Sequence, residues 1–262
     1  MARSSLKNIA KMLDMAKEEL PIEEAFLENL KHAIELQDKA DRKPPSQYYK
    51  PSSMNCIRNM YYTRIGAEPD NELPEYKNIG ICNSGTDIHL RIQTAVAYMK
   101  ECGFDCEYVD VAQYVKGHSL RDIQVVSRQG METKLLNTRY GISFLCDGII
   151  RYKKHYYILE LKTEGSFMFN RRESVNPKHY NQVTCYSLSL GLPEVIFVYI
   201  SRDNLDMKAY KFVPTDEMKQ NIIGMIENCE SYVKSNTVPP KPDISAKSCE
   251  YCPHKNKCRK EG

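Results

Sequence analysis

Near the C-terminus stand Cys249, Cys252 and Cys258 in a C-x2-C-x5-C spacing, with Pro253 directly after the second cysteine. Three thiols this close together read as a metal-ligand set, and soft thiolates favour zinc or an iron-sulfur cluster. Either centre normally takes four ligands, so a fourth donor is required. His254 lies in the same segment; the other option is a cysteine from a distant part of the chain, which obliges the fold to return its tail to an upstream element. The chain holds ten cysteines. Its first twenty residues, MARSSLKNIAKMLDMAKEEL, mix charges into every turn where a signal peptide would carry an apolar core. A cytoplasmic location is therefore expected, where thiols stay reduced and a disulfide framework is disfavoured. The remaining cysteines, 82, 102, 106, 146, 185 and 229, are expected to be small buried hydrophobes.

At 262 residues, with 42% hydrophobic and 27% charged content, the chain fits one large domain, or one domain with a small appendage, better than two equal domains. No stretch approaches the roughly 18 apolar residues of a membrane span. The net charge of +3 says little by itself, but residues 151–180 carry seven basic and three acidic side chains. The positive field is concentrated in mid-chain.

Residues 5–40 read as two amphipathic helices separated by Pro21, an arm assigned to residues 1–45. These helices offer a surface for a protein partner or a second copy of the chain. A Pro- and Tyr-rich connector leads into a short helix, MNCIRNMYYTRIG, which carries Cys56, and then a long helix from about Ile79 to Glu101. From Phe104 to Lys162 the pattern changes to short runs rich in Val, Ile and Tyr, clearest in RYGISFLCDGIIRY and HYYILELKTEG, which read as adjacent strands of one sheet. A basic loop, a helix HYNQVTCYSLSLG, the strands EVIFVYISRD and MKAYKFV, and a helix from Thr215 to Lys234 follow. Helices first and a sheet with one helical crossover after them indicate an α/β (α+β) fold, with the main domain at residues 46–262.

In a strand, side chains alternate faces, so in YYILELK the side chains of Glu160 and Lys162 share one face while Leu159 and Leu161 take the other. A hairpin turn near Lys153 and Lys154 would bring Asp147 back towards Glu160. Two carboxylates and a lysine then converge, a donor set suited to a hard cation such as Mg²⁺. Gln182 and Tyr186 are spaced i, i+4 and share a helix face. The segment GICNSGT (Gly80 to Thr86) has the outline of a phosphate-binding loop but lacks the lysine before Thr86, so a nucleotide-binding reading is rejected.

Taken in order, G-T-D-I-H (Gly85 to His89), C-D-G around Asp147, E-L-K from Glu160 and Q-V-T-C-Y from Gln182 resemble the RecB-like branch of the PD-(D/E)XK nuclease superfamily over about Cys56 to Cys258. The resemblance implies a restriction-endonuclease-like mixed sheet flanked by helices, and metal-dependent hydrolysis of DNA. It implies catalytic roles for Asp147, Glu160 and Lys162, and Mg²⁺ or Mn²⁺ bound by His89, Asp147, Glu160 and Leu161. It gives Gln182 and Tyr186 to the DNA strand, and Arg171, Arg172 and Lys178 in the adjacent loop are candidate phosphate contacts.

One cysteine far upstream followed by C-x2-C-x5-C also resembles the iron-sulfur members of that branch, the AddB-type recombination nucleases and the CRISPR-associated adaptation nucleases. This implies a structural [4Fe-4S] cluster on Cys56, Cys249, Cys252 and Cys258, with Zn²⁺ as the rival metal. Closing so long a loop is worth roughly 5 kcal/mol on a chain-entropy model.

The implied partner is DNA, single-stranded or with free ends, in a bacterial, archaeal or phage-infected cytosol. Exonuclease action in recombination, repair, phage DNA processing or CRISPR adaptation follows by the same resemblance. The chain departs from compact members in its N-terminal helices and in the 57 residues between His89 and Asp147. The alternative function is a non-catalytic DNA-binding or scaffold subunit that keeps the fold and the metal cluster.

Overall fold

In the computed structural model, which describes residues 21–42, 44–70, 74–241, 249–250 and 252–261, the segment HYYILELKTE forms the long strand β6, His155–Glu164. It is the middle of a five-stranded sheet. The strands β1 (Cys106–Val109), β5 (Gly148–Tyr152), β7 (Val195–Ser201) and β8 (Met207–Phe212) complete that sheet in the order β1-β5-β6-β7-β8. Within this sheet β6 and β7 pair in parallel, and the other neighbouring strands pair antiparallel. A parallel pair needs a crossover, and α5 (Ser166–Asn170) and α6 (Tyr180–Leu190) supply it. The sheet is thus mixed and flanked by helices, as the α/β reading expects.

The chain divides into two units. One comprises the described residues within 1–43 and 72–82, the other those within 44–71 and 83–262. In the first, α1 (Ile22–Ala40) exposes Ile22, Phe26, Leu27 and Leu30, and its Glu35 accepts the Tyr76 backbone N–H at 3.1 Å. The predicted helix before Pro21 lies outside the described residues. Two further helices of the sequence reading are present, α2 (Ile57–Arg64) and α3 (Tyr76–Tyr98), the latter starting three residues earlier than expected, and the short α4 (Val111–Gly117) follows β1. No described helix is long and apolar enough to cross a membrane.

In the second unit, alternation along β6 divides the interior. Leu159 and Leu161 pack with Ile150, Ile200 and with Ile88, Ile92 and Val96 of α3. Ile158 faces the larger core, with Phe197, Tyr199, Val183 and Tyr186 and with Ile222 and Ile226 of α7 (Asp216–Lys234). Both faces of β6 are covered, which explains its near-continuous burial from Ile158 to Leu161. The helix α6 ends at Gly191 in the left-handed region (φ 67°), where glycine carries no Cβ penalty.

Two sequence expectations are corrected. Cys82 and Cys102 are exposed, whereas Cys106, Cys146, Cys185 and Cys229 are buried; Cys102 falls in the turn that leaves α3 and Cys82 on a stretch of α3 whose neighbours Ile81 and Asn83 are exposed too. The run RYGISFLCDGIIRY is not one continuous strand. Its first half is β4 (Ile142–Cys146), which pairs with β3 (Glu132–Asn137) and, through it, β2 (Ile123–Gln129) in a separate three-stranded antiparallel sheet. Its second half is β5. The change of sheet occurs at Asp147, whose backbone carbonyl accepts hydrogen bonds from Gln93 Nε2 at 2.7 Å and Tyr108 Oη at 2.6 Å.

Gly148 allows that close approach, because a Cβ there would stand 2.7 Å from the Tyr108 ring. Gly148→Ala is expected to cost about 1–3 kcal/mol of stability by overpacking. In urea titrations the loss should shrink when Tyr108 is also replaced by Ala; equal losses in both backgrounds would refute the steric account.

Candidate metal centre and active site

The β5–β6 hairpin closes through Lys153 and Lys154, both at positive φ (48° and 69°), the backbone of a primed two-residue turn. Its register pairs Gly148 with Leu159, so the next position along sets Asp147 against Glu160. Asp147 is held on its side-chain end as well: Oδ2 accepts the Leu161 backbone N–H at 2.7 Å. That bond leaves Oδ1 facing His89 Nδ1 at 3.5 Å, and Glu132 Oε1 lies 4.0 Å from the same nitrogen. His89, Glu132 and Asp147 each present one ligand atom, all within 4.8 Å of one another, and this group could hold a metal ion. One imidazole and two carboxylates, with Glu160 beside them, are a donor set that Mg²⁺ or Mn²⁺ accepts.

Glu160 is 1% exposed. Its Oε1 receives Lys162 Nζ at 2.6 Å and Gln182 Nε2 at 2.8 Å, while Lys162 Nζ also donates to Gln182 Oε1 at 3.0 Å. Gln182 Nε2 further contacts Tyr186 Oη at 2.8 Å, and the Tyr186 ring stacks on Phe144 at 4.8 Å. The helical i, i+4 spacing therefore places an amide against the ion pair and a buried ring behind it.

Burial, with Asp147 adding to it, pushes the Glu160 carboxyl up to about 7 against the opposing pull of Lys162 and His89. Burial and Asp147 also raise Glu132. Burial works against charge on Lys162 and His89, yet Glu160 holds the ammonium, and Asp147 the imidazolium, above their ordinary values. Three carboxylates crowd a partly dry pocket, and a divalent cation would relieve their mutual repulsion.

Glu132 is the residue that sequence reasoning missed. It opens β3 at the tip of the β2–β3 hairpin, inside the long interval between His89 and Asp147, and no motif flags it; only the charge beside the Gly130 turn marks the place.

The phosphate-contact candidates divide. Arg171 is exposed and lies over the Phe167 ring at 4.0 Å, and Lys178 is exposed. Arg172 instead is engaged within the fold: its Nε donates to Glu164 at 2.7 Å, and its guanidinium stacks over Tyr199 at 4.4 Å. The half-buried His179 packs near Phe197 and Tyr199, and burial together with the charges of Lys162, Arg172 and Lys178 drives its imidazole down to about 3.

Cys56, Cys249, Cys252 and Cys258 line one cavity of 220 Å³. Cys56 is the N-cap residue just before α2, and Cys258 lies in the short helix α8 (Lys255–Lys260). Burial raises the Cys252 thiol and so does the charge of the other three cysteines, while the His254 backbone N–H donates to its sulfur and acts the other way. The His254 side chain is buried, and its Nδ1 lacks a partner among the described residues. Four cysteines on one pocket are the donor chemistry that a thiolate-bound metal centre takes.

No protein-family model matches the sequence, and no curated protein matches it. Solved structures similar to the chain include the crystal structure of SSO0001, at a TM-score of 0.46 and 16% identity, covering 88% of this chain and 96% of that one. They also include the crystal structure of LHK-Exo in complex with dAMP, at a TM-score of 0.43 and 11% identity, with coverage of 82% and 95%.

Two outcomes follow from this geometry. Glu132→Gln should weaken Mn²⁺ binding by about tenfold in calorimetry, since it removes one charged ligand atom from the group; an unchanged affinity would remove Glu132 from the site. His179 binds its proton less readily folded than unfolded, so the unfolded chain takes up more protons between about pH 6.5 and 3. Stability should be lost as pH falls through that window, and urea midpoints of His179→Phe should fall less steeply there than those of the native chain.

Proposed function

We propose that this protein is a metal-dependent deoxyribonuclease that hydrolyses phosphodiester bonds, acting on single-stranded DNA or DNA ends. The observation that carries the reading is the convergence of His89, Glu132 and Asp147 beside a buried Glu160–Lys162 pair. His89, Asp147, Glu160 and the Leu161 main chain would hold Mg²⁺ or Mn²⁺, with Glu132 as an added carboxylate. When bound, such an ion polarises a phosphoryl oxygen and lowers the pKa of water.

The side chains divide the remaining work. Lys162, fixed between Glu160 and Gln182, offers its remaining ammonium donor capacity to the attacking water or to a phosphate oxygen. Asp147, tied to the Leu161 N–H, keeps its other oxygen facing the pocket. Gln182 holds the Glu160–Lys162 pair in one geometry, and Tyr186 braces Gln182 from the core. In the reaction, the oxygen of water bonds to phosphorus, one P–O ester bond breaks, and the proton released from water balances the one taken up by the leaving alkoxide. Arg171 and Lys178 supply exposed positive charge for the DNA backbone.

The four-cysteine cavity is read as a [4Fe-4S] site that fastens the start of α2 to the tail. Zn²⁺, which takes four sulfurs at about 2.3 Å, is the rival metal for the same four cysteines.

With anaerobically purified protein and Mn²⁺ or Mg²⁺, end-labelled DNA should be cut. Asp147→Ala, Glu160→Ala and Lys162→Ala should each lower the rate by at least about 100-fold while DNA binding persists. Binding without cleavage by the native chain, on linear and circular, single- and double-stranded DNA, would overturn the enzyme and leave a DNA-binding scaffold.

A further inference from the structure

Arg58 follows Cys56 by two residues on α2 and is 5% exposed. Its guanidinium donates to three main-chain carbonyls, Pro239 at 2.7 Å, Cys258 at 3.0 Å and Glu261 at 3.4 Å, and to Cys258 Sγ at 3.5 Å. Neutral carbonyls satisfy its N–H groups but leave its charge unbalanced, a costly state for a buried cation. Among the described residues it forms no ion pair, and the Glu261 carboxylate instead accepts the Tyr62 hydroxyl at 2.6 Å. The cavity it lines adds Lys241, Lys255 and Arg259 to the four cysteines, with no carboxylate among the described lining residues. A pocket so composed is electropositive, and its missing partner is an anion.

Four thiolates around zinc or around a four-iron core carry a net charge of about −2 in either case, which is the charge this cavity lacks. Resting on the reading of Cys56, Cys249, Cys252 and Cys258 as a metal-thiolate centre, we infer that Arg58 is the fixed counter-charge of that centre, governing how firmly the metal is retained and, for an iron-sulfur cluster, its reduction potential. Adding an electron makes such a centre more anionic, so a fixed cation with a hydrogen bond to one ligand sulfur favours the reduced form. The same side chain ties α2 to the tail on both sides of Cys258, so loading of the centre and docking of the tail reinforce one another.

The test compares the full chain, purified anaerobically, with Arg58→Gln and Arg58→Lys. Metal content of the native protein comes first, by elemental analysis. Metal release to a chelator is then followed by absorbance, and midpoint potential by dithionite titration where iron is present. Arg58→Gln should release metal about tenfold faster and show a more negative midpoint, whereas Arg58→Lys, which keeps the charge but not the planar fork, should stay within about threefold of the native rate. Equal effects of the two substitutions would mean that Arg58 serves only its carbonyl bonds and would overturn the inference, as would native release and potential in Arg58→Gln. If the native chain carries zinc, the split between the two release rates decides. A native chain with no bound metal would instead overturn the four-cysteine reading itself, a failure visible before any variant is made.

Discussion

Asp147 is pinned from three directions. Gln93 and Tyr108 hold its carbonyl, and the Leu161 N–H holds one carboxylate oxygen, at the point where the chain leaves the three-stranded sheet and enters the five-stranded one. Everything in the candidate site is referred to that residue. The other oxygen meets His89 from α3, the hairpin register brings Glu160 opposite, and Tyr108 also reaches the Met131 carbonyl next to Glu132. A loop could not aim a carboxylate this way; two sheets meeting at one residue can.

The two ligand clusters are electrostatic opposites. At Asp147, three carboxylates press together in a partly buried pocket with one lysine and one histidine, and burial, with the Asp147 charge adding to it, raises the Glu160 and Glu132 carboxyls. At Cys252, four thiols share a cavity with Arg58, Lys241, Lys255 and Arg259. The first pocket suits a small hard cation, and the second is the one we propose to hold an anionic metal-thiolate centre. Each is a local imbalance that the described protein groups leave open, and each names the charge that would close it.

Much of this was legible in the sequence where chemistry follows a local period. The alternation in YYILELK put Glu160 and Lys162 on one face, the Lys153–Lys154 turn returned Asp147 to it, and the i, i+4 spacing aligned Gln182 with Tyr186. What local periods cannot express was missed. Glu132 joins His89 and Asp147 only because a separate sheet folds its hairpin tip to them. The break of RYGISFLCDGIIRY at Asp147 depends on Gln93 and Tyr108, which no pattern within that run reveals. Arg172 reads as a basic loop residue, yet Glu164 and Tyr199 absorb its charge into the fold. Exposure of Cys82 and Cys102 likewise depends on what packs nearby, not on residue type.

The central claim is that His89, Glu132 and Asp147 hold a divalent cation beside the Glu160–Lys162 pair. Crystals of the protein soaked in Mn²⁺ and measured for anomalous scattering address it most directly. A manganese peak is expected among the His89 ring, the Glu132 carboxylate and the Asp147 carboxylate, absent from Asp147→Asn crystals. A map with no peak there, or with manganese bound only elsewhere, would contradict it.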